Sequence, residues 1–391
     1  MAVEDKFDVV VVGGGPAGAT AAHDLAKLGR KVALLDKAGR IKPCGGAIPP
    51  RLIRDFAIPP HLVKARVTMT TMVSPSGRRV DMPIEGGYVG MVDRAEFDEF
   101  LRTRAAEAGA TRVTGSFEHV TRERGGTVVV HYKPKGGTET RTLKTALLVG
   151  ADGALTQVGR QEVPGADRTP FVFAYHEIVE TPRERPDRCE IYYRGTLSPD
   201  FYAWIFPHGQ TMSVGVGSAQ KGFSLKVAVA ELRGEADLAD APTERREGAP
   251  IPLKPLKRWD NGCDVLLAGD AAGVVAPASG EGIYYAMYTG RLAGEAMEAC
   301  LATGDARALQ SARKRFMKAH GRVFWVLGIL QYFWYSSDKR RESFVSICQD
   351  KDVQRLTWES YMNKEMPRRD PLAQVRIFFK DLAHLLRLAA P

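Results

Sequence analysis

The sequence predicts an α/β protein carrying an inserted antiparallel sheet and a helical C-terminal region, on three observations. Near the N-terminus a β-branched run meets a glycine-rich turn, then a helix, then a second apolar run. Roughly residues 171–217 are short Tyr-, Phe- and Val-rich segments separated by turn residues. From about residue 283 onward helical spacing dominates. The first pattern builds parallel sheets and the second antiparallel ones.

Residues 7–12 (Phe-Asp-Val-Val-Val-Val) read as a strand buried on both faces, a β-branched run that ends at glycines. Gly13 to Gly18 follow, with Pro16 suited to a first helical turn and Gly29 to the helix end near Leu28. Residues 31–36 give the second strand. Asp93 and Glu96 form a capping box for a helix through Phe97, Phe100, Leu101 and Ala105, stopped at Gly109. Two more buried strands are expected at 146–150 and 265–268, and 222–254 mixes a helix with a polar loop. There is no internal repeat or low-complexity segment.

The 391 residues suffice for two or three cores, and 44% hydrophobic with 26% charged residues is ordinary globular composition. The net charge of +9 points to an anionic surface or a phosphorylated substrate rather than nucleic acid, because no basic tract carries interleaved aromatics. Five cysteines, odd in number and without a CxxC pair, argue for a reducing compartment and against a disulfide framework or zinc site; no metal is expected. The N-terminus lacks a signal-peptide pattern, and the longest apolar run, 323–335, is shorter than the ~20 residues a spanning helix needs. The expectation is a cytoplasmic protein with peripheral membrane contact.

Gly13-x-Gly15-x-x-Gly18 is a dinucleotide-binding turn. Gly13 permits the tight bend, Gly15 lets amides approach a pyrophosphate, and Gly18 lets the helix pack on the strand. The N-terminus of that helix faces the phosphates with its dipole. Asp36 ends the second strand, where an acid binds a ribose hydroxyl. This pattern alone leaves NAD(P) and FAD open.

Two later segments choose FAD. Val149-Gly150-Ala151-Asp152-Gly153 resembles the DG segment of para-hydroxybenzoate-hydroxylase-type flavoproteins. Gly269-Asp270-Ala271-Ala272-Gly273, with Pro277, Gly280 and Gly282, resembles their GD segment. The resemblance implies that Asp270 binds the ribityl chain, that a helix starting at Gly282-Ile283 points at the flavin pyrimidine, and that Arg94 touches the flavin. It adds Ala17, Lys37, Cys44, Gly45, Ala47, Val120 and Asp152 to the cofactor-binding set. Two departures stand out. Thr156 takes the Ser place of the DGxxSxxR pattern, with Gly159 in its Arg place and Arg160 one residue late. Gly273 stands where hydroxylases have His.

Pro43-Cys44-Gly45-Gly46, Tyr202-x-Trp204-x-Phe206-Pro207 and the 269–283 string together resemble the geranylgeranyl reductase family over nearly the whole chain, most of all its (bacterio)chlorophyll branch of photosynthesis. That implies an NADPH-consuming FAD enzyme saturating a geranylgeranyl chain, on (bacterio)chlorophyllide or on the diphosphate. The fold it implies is a Rossmann-type FAD domain (1–65, 88–165, 260–300), a substrate-binding sheet domain (66–87, 166–259) and a helical region (301–391). Cys44, after Arg40 and Lys42, is placed beside the isoalloxazine as candidate proton donor, with Tyr202 the second catalytic candidate. Tyr202, Trp204 and Phe206 share one strand face, either as a core stripe or as the wall of a prenyl tunnel. Segments 322–335 and 372–388 combine apolar helical spacing with basic residues, an interfacial pattern that a helix packed on its own domain also produces. Two other functions share these elements: a flavin monooxygenase of the same fold, and a non-catalytic prenyl-binding escort.

Overall fold

The computed structural model describes residues 6–37, 41–181 and 187–364. The chain divides into two compact units. The first comprises Met1–Lys42, Arg94–Phe171 and Pro250–Arg322. The second comprises Pro43–Asp93, Val172–Ala249 and Val323–Pro391. This division differs from the sequence-based one in several ways, residues 166–171 and 250–259 passing to the first unit. Residues 43–65 and 88–93 group with the sheet unit, because Ala47–Ile48, Val63–Val67 and Val89–Val92 pair into a small sheet of their own there. The C-terminal helices are shared between the units instead of forming a third one.

The first unit is built on parallel strands. Lys6–Val12 lies between Val32–Asp36 and Arg141–Gly150, which in turn pairs with Val265–Leu267. Val9, Val10 and Val11 are fully buried, as an apolar run flanked by strands on both sides must be. Thr111–Arg122 first runs parallel to the second strand, then turns into an antiparallel meander with Val128–Pro134 and the start of Arg141–Gly150. The register sets Val12 level with Leu35 and Gly150, and Gly150 level with Leu267. The glycine turn, Asp36, the DG segment and the GD segment therefore all leave the same carboxyl edge, where ligands bind in open α/β sheets. Helices Pro16–Lys27 and Ile283–Thr303 pack backbone to backbone. A Cβ on Gly290 would lie 2.2 Å from the Ala17 carbonyl oxygen.

The second unit holds a seven-stranded sheet. Its order is Thr243–Pro252, Phe171–Glu180, Thr211–Ser218, Ala203–His208, Arg188–Tyr192, Met69–Val73, Arg79–Pro83. Helix Leu225–Glu235 packs on it through Ala228, Val229 and Leu232. Thr243–Pro252 lies in the stretch expected as a polar loop. Its sequence, TERREGAPIP, carries charges on both faces, which an edge strand tolerates and a buried one does not. Helices Asp338–Ile347 and Lys351–Asn363 complete the described chain. Segment 372–388 lies outside the described residues.

Candidate active site

In the first unit the three motif glycines do different physical work. Gly13 has φ +107°, and a Cβ on it would lie 2.3 Å from the Ala151 carbonyl. A Cβ on Gly18 would lie 1.9 Å from the Gly13 carbonyl. Those two positions close the fold. Gly15 has an ordinary φ of −74°, and a Cβ there would meet nothing within 4 Å. It opens onto space at the N-terminus of helix Pro16–Lys27, whose first-turn amides lack intrahelical partners. That space and those donors fit a pyrophosphate.

Asp36 accepts the Gly14 amide at 3.0 Å and lies 3.7 Å from Arg102 Nη1. Arg102 also donates to the Gly14 carbonyl at 3.2 Å. Sequence reasoning missed Arg102. Its signal was helical spacing: 94, 98 and 102 recur every four residues on Arg94–Glu107. Arg94 itself is 5% exposed and grips Asp98 through two bonds of 2.8 and 2.7 Å. Lys37 is exposed just past Asp36, and Ala17 is buried where its side chain faces Gly269. Val120 sits on the meander, its amide donating to Gln161 Oε1 at 3.2 Å.

The DG carboxylate is committed to its own loop. Asp152 accepts from Thr156 Oγ1 at 2.6 Å and from the amides of Gln157 and Val158 at 2.6 and 3.2 Å. Burial pushes its carboxyl pKa up against those bonds. Thr156 caps helix Gln157–Glu162 by accepting the Gly159 amide at 2.8 Å. Both departures from the hydroxylase pattern have steric causes. A Cβ on Gly159 would lie 2.6 Å from Thr156 Cγ2, with Ala166 and Leu267 3.1 Å away. Gly273 has φ +76°, and its Cβ would lie 2.3 Å from the Lys254 carbonyl. Neither Arg nor His fits these places.

The GD carboxylate is held differently. Asp270 is 8% exposed and pairs with Lys42, so that ammonium serves the GD segment. Arg40, the other cation expected beside Cys44, lies outside the described residues. The glycine loop bends through Ala278 (φ +63°) and Gly280 (φ +65°). Helix Ile283–Thr303 then starts after Gly282, as the sequence suggested, and Glu281 Oε1 accepts the Tyr284 amide at 3.2 Å. Asp270→Ala is expected to lower FAD affinity about 10- to 100-fold, the loss of one charge-assisted hydrogen bond. Asp152→Ala should instead lower stability, because it strips the acceptor of Thr156 Oγ1 and of the Gln157 and Val158 amides. Titration of both apoproteins with FAD, beside their unfolding curves, checks this; equal losses of affinity would refute it.

In the second unit Tyr202, Trp204 and Phe206 lie in one ladder, with centroid spacings of 5.9 and 6.1 Å. His208, two residues further on, continues this alternation and was missed. Cys44-Gly45-Gly46 packs against the ladder. A Cβ on Gly45 would lie 2.8 Å from the Phe206 ring, and one on Gly46 would lie 2.6 Å from His208 Cε1. Gly46 also has φ +74°. The His208 ring nitrogen Nε2 meets the Gly45 carbonyl at 3.1 Å, and burial pulls its pKa down to about 4, so at neutral pH the ring is uncharged and donates there. Cys44 is half-buried, and its Sγ accepts the Gly46 amide at 3.4 Å.

Trp204 is held by its own network. Its indole N–H donates to Ser213 Oγ at 3.1 Å, Ser213 bonds His176 at 2.8 Å, and His176 bonds Glu247 at 3.0 Å. Gly215 leaves the gap the indole fills. Tyr202 is buried, and that burial, with Tyr335 and Cys44 nearby, raises its phenol well above the ordinary value. Ala47 and Phe206 pack with Trp358, Tyr361 and Met362 against the cluster around Val67 and Met91. The ladder is thus packed into this unit, with Tyr202 and Trp204 buried and Phe206 partly buried.

Residues 7–187 match the pyridine nucleotide-disulphide oxidoreductase family. The chain is 57% identical to a geranylgeranyl diphosphate reductase of Rhodobacter capsulatus, over 99% of both proteins. It is 38% identical to a chloroplastic geranylgeranyl diphosphate reductase of Oryza sativa subsp. japonica, over 98% of this chain and 87% of that one. A crystal structure of a geranylgeranyl bacteriochlorophyll reductase-like protein from Thermoplasma acidophilum superposes with a TM-score of 0.83 at 22% identity, covering 95% of this chain and 98% of the other.

Proposed function

Since the chain belongs to the geranylgeranyl reductase family of FAD oxidoreductases and reduces geranylgeranyl chains, we propose that NADPH is its electron source and that the chain it saturates rides on (bacterio)chlorophyllide or on diphosphate. When bound, FAD supplies hydride to the alkene. The protein's own residues must do the rest. An isolated alkene has no carbonyl to polarise it, so a proton has to reach the second carbon as hydride reaches the first. Cys44 is the proposed donor. The observation that carries this is the packing of Cys44-Gly45-Gly46 against the Tyr202–Trp204–Phe206 ladder, which sets a thiol at the edge of an apolar aromatic wall. The Gly46 amide on Sγ holds the thiol at that edge. Tyr202, its phenol pKa raised by burial, is the weaker acid. The wall excludes water from a centre with developing cationic character.

The steric closure at Gly159 and Gly273 weighs against a monooxygenase of this fold, and the Gly15 cradle with Asp270 against a flavin-free escort. No described helix is long and apolar enough to cross a membrane. Because a prenylated tetrapyrrole resides in a bilayer, we place the protein peripherally on the cytoplasmic face of a photosynthetic membrane. Anaerobic reduction of the flavoprotein by NADPH, then addition of either carrier, tests the reading. The oxidised spectrum should return with the carrier that is substrate, and failure with both would overturn it.

A further inference from the structure

Helix Gln310–Trp334 shows two opposite faces. Phe324 and Trp334 are buried, whereas Trp325, Ile329 and Tyr332 are 69%, 47% and 83% exposed. The exposed three stand at i, i+4 and i+7, one continuous stripe. Large exposed apolar groups in a row mark an interaction surface rather than ordinary solvated surface. Their chemistry and flanks narrow the partner. Trp and Tyr have amphipathic rings that settle at the level of lipid headgroups. Exposed Arg322 precedes the stripe, and exposed Lys339 and Arg340 follow it. The Arg340 guanidinium lies 4.3 Å over the Phe333 ring, which keeps its charge beside the aromatic end. The whole chain carries +9.

We infer that Trp325, Ile329 and Tyr332 enter the headgroup layer of an anionic bilayer, with Arg322, Lys339 and Arg340 on its phosphates. The inference rests on the peripheral-membrane reading and names the surface that makes the contact. Helix Gln310–Trp334 then lies in the interfacial plane, as an amphipathic helix with cationic flanks does.

The test uses the full-length flavoprotein and sedimenting vesicles of phosphatidylcholine, with or without phosphatidylglycerol. Binding should need phosphatidylglycerol and weaken as salt rises, since surface charge is screened over ~8 Å at physiological ionic strength. The double variant Trp325→Ser, Tyr332→Ser should bind at least about tenfold more weakly, through lost apolar burial. Vesicles should shift tryptophan emission to the blue in the parent, and Trp325→Phe should abolish most of that shift while keeping binding. Turnover of whichever detergent-dispersed carrier the parent reduces should be unchanged in the double variant; failure of the parent on both carriers would strike at the functional reading instead. Undiminished vesicle binding by the double variant would overturn the inference. So would a parent emission blind to vesicles, or a dimer that the double variant dissolves, because the stripe would then be covered by protein.

Discussion

Gly15→Val should purify folded and colourless. Its backbone is in ordinary extended geometry, and a Cβ there meets no protein atom within 4 Å, so the fold tolerates branching at this position. The same side chain fills the space in front of the first-turn amides of helix Pro16–Lys27. Losing two charge-assisted amide–phosphate bonds at about 2 kcal/mol each amounts to roughly a thousandfold in FAD affinity. Gly18→Val should fail for the opposite reason. A Cβ 1.9 Å from the Gly13 carbonyl forces helix from strand, and folded protein should scarcely accumulate. Flavin absorbance beside circular dichroism separates the two outcomes. A Gly15→Val protein that is yellow with full flavin means the cofactor site is elsewhere.

Cys44→Ala should split the catalytic cycle. On the proposed mechanism flavin reduction by NADPH makes no use of Cys44, whereas alkene reduction needs a proton delivered with the hydride. The variant should therefore keep FAD and bleach normally. Its reoxidation by geranylgeranyl substrate should slow about 10²- to 10⁴-fold, the usual worth of general-acid assistance. Cys44→Ser should fall between, since a hydroxyl preserves hydrogen bonding but is the weaker acid. Anaerobic stopped-flow absorbance follows each half. Slowed bleaching with untouched reoxidation would exclude the thiol and pass the role to Tyr202 or to a water.

The parallel half of the fold was legible because strands buried on both faces read as unbroken apolar runs, as at 7–12, 146–150 and 265–267. Half-exposed elements were not. Thr111–Arg122 exposes most of its length, and Thr243–Pro252 is charged on both faces, so neither leaves a clean alternation. Within the site, glycines betrayed themselves by spacing, and Asp270 by its neighbours. Arg102, Lys42 and His208 did not. A long cation or an imidazole takes its role from a partner distant in sequence: Asp36 for Arg102, Asp270 for Lys42, the Gly45 carbonyl for His208. The consequences of Gly159 and Gly273 were also hidden, because only packing shows that Arg and His have no room there.

The most direct measurement is the mass of the product after anaerobic incubation with NADPH and geranylgeranyl-(bacterio)chlorophyllide or geranylgeranyl diphosphate. The expected product is heavier than the substrate by whole pairs of hydrogen atoms, with one NADPH oxidised per pair and no need for oxygen. An unchanged prenyl chain, or NADPH oxidation that requires oxygen and leaves an oxygen atom on the product, would contradict it.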